Sequence, residues 1–400
     1  MISDENTKEL FRFIQTADTS GLPSLKELLK KYDQNYITCD EYFAEIKNNR
    51  KVLSIDARSE NEFAESSMPF SKNFPVLTNQ ERHNVGLIYK NYSQTSALWL
   101  ALQYAGPKTE SLKNFLENNK ASEKNIYVYC WRGGGRSGYL SAMINELGFK
   151  TAIIRGGYKS YRQSVNSFFS QKTFPGNLLE LSGLTGCGKT ELIQIVSSKL
   201  PVIDLELAAK HYSSLLGHIP YEIKNSPPVF NQSAFENNIY SQIILNSSKL
   251  KLSHGILPVY IIESESRKIG RFQIPSLIFN ALSEAPSVRI ISSYENRIKR
   301  IVRDYFGNEL KGIEPMLNTF KDKEYFFKQQ LSNSVFADLI NLLNEGRVYE
   351  FSEIMIKNYY DKKYKDKGKA PVAEISSDNI SEAAEILSAI YKNILQKYSG

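Results

Sequence analysis

Ile126-Tyr127-Val128-Tyr129-Cys130-Trp131-Arg132-Gly133-Gly134-Gly135-Arg136-Ser137-Gly138 is the stretch on which the reading of this chain turns. Ile126 to Tyr129 is an apolar run of the length of a buried strand. It stops on a cysteine, three glycines follow, and the spacing predicts an amphipathic helix from Ser137 to about Leu147. Gly148 is a natural stop for that helix. Cys130 therefore sits where a strand gives way to a helix N-terminus. Loop amides and the helix dipole favour negative charge there, and the thiolate is the nucleophilic form of cysteine. Arg132 and Arg136 add positive charge for an anionic substrate, and the glycines let the backbone come close to it. Inert burial is the competing use of such a cysteine. A Gly-Gly-Gly-Arg-Ser sequence has no packing purpose after a core strand, so the nucleophile is preferred.

Working outward, the flanks read as one α/β unit. Thr38-Cys39-Asp40-Glu41 is a capping-box pattern that opens a short helix. Val52 to Ile55 is a strand, and Asp56-Ala57-Arg58-Ser59-Glu60-Asn61-Glu62 follows its end, where open α/β sheets bind ligands. An Asp56–Arg58 or Arg58–Glu62 pair that only braces the loop is the alternative. Thr151 to Ile154 is another strand, and Gly156-Gly157-Tyr158 leads into a helix running through Phe168. This order of strands, Asp-x-Arg, cysteine loop and Gly-Gly resembles a rhodanese domain, whose loop cysteine carries sulfur or selenium. Five residues separate Cys130 from Arg136. Cysteine-dependent phosphatases related to rhodaneses share that spacing, and the wider ring of amides suits a tetrahedral, phosphate-like anion.

A second unit starts after Phe174-Pro175-Gly176-Asn177, which reads as a linker. Leu178 to Leu181 is a strand, and Gly183-Leu184-Thr185-Gly186-Cys187-Gly188-Lys189-Thr190 is a phosphate-binding P-loop between that strand and a helix. Gly183, Gly186 and Gly188 free the amides to cradle phosphates; Lys189 would reach a terminal phosphate and Thr190 would hold magnesium where one is bound. Cys187 reads as a small filler. Val259 to Ile262 is a strand capped by Glu263-Ser264-Glu265, where P-loop proteins place a magnesium-holding or water-orienting acid. Glu263 is the first choice and Glu265 the second, with pairing to Arg267 or Lys268 as the competing use. His211, His218 and His254 lack ligand spacing. Arg297, Arg300 and Arg303 recur along one side of a helix as candidate RNA contacts, against the alternative of a solvated basic face. Lys362, Lys363 and Lys365 begin a basic tract interleaved with tyrosine that suits a nucleic-acid backbone.

The expected organisation is an N-terminal helical arm over 1–35, a rhodanese-like domain over 36–172, a P-loop domain over 177–315 and a helical C-terminal region over 316–400. The fold class expected is thus α/β throughout, a rhodanese-like domain followed by a P-loop NTPase-like domain with helices at its end. A net charge of +7 fits a polyanionic partner. Three widely spaced cysteines give neither a disulfide framework nor a zinc site, which points to a reducing cytoplasm. The first residues are unlike a secretory signal, and no apolar run approaches a membrane span.

Together the two loops resemble the tRNA 2-selenouridine synthases over most of the chain. Leu77-Thr78-Asn79-Gln80-Glu81-Arg82, Val85-Gly86-Leu87-Ile88-Tyr89-Lys90, Asp204-Leu205-Glu206, Ser233-Ala234-Phe235-Glu236-Asn237, Glu263 to Gly270 and Tyr359-Tyr360-Asp361 strengthen the likeness. The resemblance implies exchange of sulfur for selenium in 2-thiouridine at the wobble position of tRNA. Selenophosphate is the implied donor, and geranyl diphosphate first alkylates the sulfur. Catalysis falls on Cys130 and Arg136, and Trp131, Arg132, Gly133, Gly134, Gly135 and Ser137 would form the selenophosphate loop. Mg2+ is the metal contemplated at the P-loop, with no tightly bound cofactor. The alternatives are a cysteine-dependent phosphatase or sulfurtransferase fused to a P-loop kinase-like module, and a non-catalytic RNA-binding protein. The arm is longer than the family requires.

Overall fold

The computed structural model describes residues 4–32, 34–48, 51–247, 257–364 and 368–397, and the chain divides into two compact units, Met1–Phe168 and Phe169–Gly400. Each is built on a parallel five-stranded sheet. In the first, β1 (Asn35–Ile37), β2 (Val52–Asp56), β3 (Ser71–Asn73), β4 (Asn125–Tyr129) and β5 (Thr151–Ile154) lie in the order β1-β5-β4-β2-β3. The central strand β4 reads Asn-Ile-Tyr-Val-Tyr because helices cover both faces of a parallel sheet and leave no polar side. Its register sets Asp56 beside Tyr129, so the Asp56 loop and the cysteine loop leave the sheet at the same end. Leu53, Ile55, Val128, Leu140 and Ile144 form the core between sheet and helices.

Two of these strands were not foreseen. β1 and β3 are three residues each, at the sheet edges and partly polar, so they carry little apolar signal. The arm is also no separate appendage. Its helix Leu25–Leu29 lies against the helix Gly135–Glu146 that follows the cysteine loop, so close that a Cβ on Gly135 would meet Leu25 Cδ2 at 2.6 Å and one on Gly138 would meet Leu29 Cδ1 at 2.8 Å. Farther back, Ile14 is buried with Ile88, Ala97 and Leu100.

In the second unit β6 (Asn177–Ser182), β7 (Val202–Ile203), β8 (Val259–Glu263), the hairpin β9 (Lys268–Ile269) and β10 (Phe272–Gln273), β11 (Ser287–Ile291) and β12 (Ala373–Ser376) follow in sequence. The sheet order is β12-β11-β6-β8-β7, again parallel. β12 corrects the expectation of helix alone beyond Met316: the chain returns to the P-loop sheet as an edge strand before its last helix, Ile380–Lys397. The helices between, from Ile313 to Met355, share an aromatic core in which Phe320 and Phe327 stack with centroids 4.1 Å apart.

Candidate active site

The cysteine loop is held from behind. The amides of Tyr158 and Lys159 donate to the carbonyls of Cys130 and Trp131, each at 2.9 Å, which fixes the peptide planes at the start of the loop. Gly157 has to be glycine: a Cβ there would meet the Cys130 carbonyl oxygen at 2.2 Å. On the open side Gly134 N–H donates to Cys130 Sγ at 3.3 Å, and Ser137 Oγ lies 3.3 Å from the same sulfur. The thiol is buried against its loop, whereas Trp131 and Arg132 are exposed. Trp131 leans on Tyr158, with centroids 5.5 Å apart.

Arg136 is half-buried and held by Glu62, which accepts from Nη1 at 2.6 Å and is also paired with Arg82 at 3.1 Å. Burial works against the Glu62 carboxylate, yet the Arg136 and Arg82 guanidiniums keep its carboxyl below the usual range. Of the two readings left open for Asp56 and Arg58, the bracing pair is the one the structure shows. Those two form a buried pair at 2.6 Å, and the guanidinium lies over the Tyr158 ring at 4.2 Å. They brace the turn. Glu62, the third residue of the following helix, reaches the cysteine loop; the sequence placed it in the charged stretch past β2 but did not reveal its partners, which lie 20 and 74 residues away.

The P-loop joins β6 to helix Lys189–Val196. Gly183 has φ of 143°, and a Cβ there would meet the Ile290 carbonyl oxygen at 2.3 Å. Lys189 Nζ donates to the Gly183 carbonyl at 2.7 Å, and Gly186, Gly188, Lys189 and Thr190 line a cleft of about 1400 Å³. The acid that meets this loop is Glu206. Its Oε2 accepts from Thr190 Oγ1 at 2.7 Å and its Oε1 from the Ser213 amide at 3.1 Å. Glu265 also lines the cleft. Glu263, the first choice from sequence, stands behind: Oε1 accepts from the Glu206 amide at 2.7 Å, and the buried Oε2 has no hydrogen-bond partner among the described residues. Burial raises the carboxyls of Glu206 and Glu263 and pushes that of Asp204 up to about 7. A divalent cation suits such a set. The Thr190 hydroxyl and Glu206 would hold Mg2+ with phosphate oxygens completing its shell, since Mg2+ takes few protein ligands beside phosphate.

The arginine row is not an open basic face. Arg297 is buried, donates to the Thr185 carbonyl at 2.9 Å and pairs with Asp361. Arg300 is buried and donates to Glu191, Ser292 and the Ser377 carbonyl. The periodicity was legible, but the acids that draw both inward lie far off in sequence. Arg303 is half-exposed beside Glu191 and Asp304 and is the member of the row that faces solvent. Lys362 and Lys363 are exposed, with Lys363 Nζ over the rings of Phe326 and Tyr359; Lys365 and His254 lie outside the described residues. Lys369 is committed elsewhere, to the buried Glu180 at 3.2 Å. His211 is half-buried, with a buried Nδ1 that lacks a partner among the described residues. Among the described residues no helix is long and apolar enough to cross a membrane.

An α/β domain with a cysteine loop is thus joined to a P-loop domain, each with its loop at the end of a parallel sheet. Residues 40–164 match the rhodanese-like domain and residues 177–393 the tRNA 2-selenouridine synthase AAA domain. A tRNA 2-selenouridine synthase of Shewanella denitrificans is 30% identical over 338 residues, 78% of this chain and 86% of the relative. One of Aeromonas salmonicida is 31% identical over 336 residues, with the same shares. One of Nitrosomonas eutropha is 32% identical over 253 residues, 63% of this chain and 62% of the relative. The chain belongs to the tRNA 2-selenouridine synthase family.

Proposed function

We propose that the protein replaces the sulfur of wobble 2-thiouridine in tRNA with selenium from selenophosphate, through an S-geranylated intermediate, and works in the cytoplasm. The observation that carries this reading is the setting of Cys130. Its sulfur faces the Gly134 amide and the Ser137 hydroxyl at the mouth of a C-x5-R loop whose arginine is held in place by Glu62. A selenophosphate would lay its phosphate oxygens on the loop amides and Arg136. The Cys130 thiolate would attack phosphorus, forming an S–P bond as the P–Se bond breaks and releasing selenide to attack C2, with water later cleaving the S–P bond.

In the exchange the C2–S bond of the thioether breaks as a C2–Se bond forms. The geranyl thiol departs with a proton from solvent, and water takes the phosphoryl group to phosphate. No oxidant or reductant is needed. The uridine sulfur is a poor leaving group until it is alkylated, which gives the second loop its task. The P-loop cleft would take the diphosphate of geranyl diphosphate on its amides and Lys189. Mg2+, when bound there, would supply charge to the departing diphosphate, and Thr190 and Glu206 would hold it.

The test is mass spectrometry of tRNA nucleosides after incubation with geranyl diphosphate and selenophosphate. The native protein should convert 2-thiouridine to 2-selenouridine, and Cys130→Ser should not, while folding and tRNA affinity persist. Selenouridine from the serine variant would sink the assignment.

A further inference from the structure

The cleft in front of the cysteine loop, about 1190 Å³, has a lining unlike that of the P-loop. Leu87, Leu98, Ala101, Leu102 and Leu25 wall it, and Cys130, Gly134 and Gly135 belong to the same surface. The helix Gln94–Ala105 explains the wall. It reads Gln-Thr-Ser-Ala-Leu-Trp-Leu-Ala-Leu-Gln-Tyr-Ala and is apolar on two sides. Ala97 and Leu100 are spent on the core with Ile14 and Ile88. Leu98, Ala101 and Leu102, at i, i+3 and i+4, make a second apolar stripe that is only half-buried and borders the cleft. Leu25 supplies another wall from the arm, fixed there by its seat on Gly135. The cleft is also lined by the exposed cations Arg82, Lys90 and Arg132 and by the half-buried Arg136. Neither selenophosphate nor a nucleobase calls for leucines; a hydrocarbon chain does.

We propose that this cleft seats the hydrocarbon chain of the S-prenylated uridine while selenium displaces the sulfur. The inference rests on the geranylated intermediate proposed above and adds where and by what that intermediate is recognised. The chain lies along Leu98, Ala101 and Leu102, so the sulfur it carries, and C2 next to it, come to the Cys130 end of the cleft. The exposed cations beside the cleft meet RNA phosphates. When the C2–S bond breaks, the thiol leaves with the chain still on the apolar wall. The arm thereby has a role: Leu25 completes the wall. The P-loop would handle the diphosphate end of the prenyl donor, and the cysteine-loop cleft would read the chain after its transfer.

The experiment uses the full-length protein, selenophosphate, and tRNA whose 2-thiouridine sulfur bears either a geranyl or a methyl group. Initial rates of selenouridine formation are read by liquid chromatography and mass spectrometry. The geranylated tRNA should react at least about ten-fold faster at limiting concentration, since each added methylene in an apolar site contributes to discrimination. Leu98→Gln and Leu102→Gln should each lower the geranyl-to-methyl ratio several-fold, and Leu98→Met should keep it. Equal rates for the two tRNAs with the native protein would overturn the cleft and leave the intermediate standing. An unchanged ratio in both glutamine variants would do the same. Turnover of neither alkylated tRNA would overturn the intermediate itself.

Discussion

Thr190 Oγ1 donates a 2.7 Å hydrogen bond to Glu206 Oε2, which sets a carboxylate directly on the P-loop. Glu206→Gln keeps an acceptor for Thr190 and removes the charge. Geranylation of thiolated tRNA by this variant should need more Mg2+, and at limiting Mg2+ its rate should fall about 10- to 100-fold. Glu263→Gln, which touches Glu206 only through its amide, should shift the Mg2+ requirement less. Equal Mg2+ titration curves for Glu206→Gln and the native protein would remove Glu206 from the metal site.

The two loops should separate by variant. Lys189→Ala should leave 2-thiouridine unalkylated, because the cleft loses the side chain that meets a terminal phosphate. Cys130→Ser should let geranylthiouridine accumulate. Nucleoside chromatography reads both. Geranylation blocked by the serine variant, or proceeding at full rate in Lys189→Ala, contradicts the division.

Glu62 holds Arg136 and Arg82 together. Glu62→Gln should leave Arg136 less fixed and lower the rate of selenium delivery onto geranylated tRNA by about ten-fold or more. Geranylation, proposed above for the P-loop, is the control. A fall in both steps alike would indicate loss of fold instead.

Asp204 makes the second unit sensitive to pH. Its folded value, about 7, lies above the unfolded one, so between about pH 4 and that value the folded protein holds the extra proton. Its contribution is therefore complete at low pH and is lost as pH rises through 7. His211, pushed down to about 4 by burial, acts in the opposite sense at acid pH. Comparing Asp204→Asn with the native protein at each pH isolates the aspartate, and Asn keeps the cap to the Leu207 amide. The variant should gain relative stability from about pH 5 to about pH 8, on the order of 1 to 3 kcal/mol. A melting-temperature difference that stays flat across this range counts against it.

tRNA affinity should fall steeply with salt, and Lys362→Gln with Lys363→Gln should flatten the slope by about one to two counterions. Lys369 is left out of this set because it is bound to the buried Glu180, so its loss would change packing as well as charge. An unaltered slope would mean the two lysines face solvent only.

Much of this was legible because it is local. β4 with Cys130 to Ser137, and β6 with Gly183 to Thr190, are contiguous stretches whose strand, turn and helix signals agree. The edge strands Asn35–Ile37 and Ala373–Ser376 were not, since a short strand is defined by the neighbour it pairs with: Asn35 with Ala152, Ala373 with Val288. Site residues divide the same way. Arg136 could be read beside Cys130, whereas Glu62 and Glu206 act through partners that only folding brings near. Arg297 and Arg300 show the limit of periodicity, which finds the side of a helix and leaves open whether that side meets solvent or buried acids.

Arg297 has one further consequence. One guanidinium grips the Thr185 carbonyl of the P-loop and Asp361, the residue before Lys362. It ties the P-loop to the start of the basic tract. Were the lysines to engage RNA, that binding and occupancy of the P-loop would be linked through this contact, and each ligand would then alter the affinity of the other by the same factor.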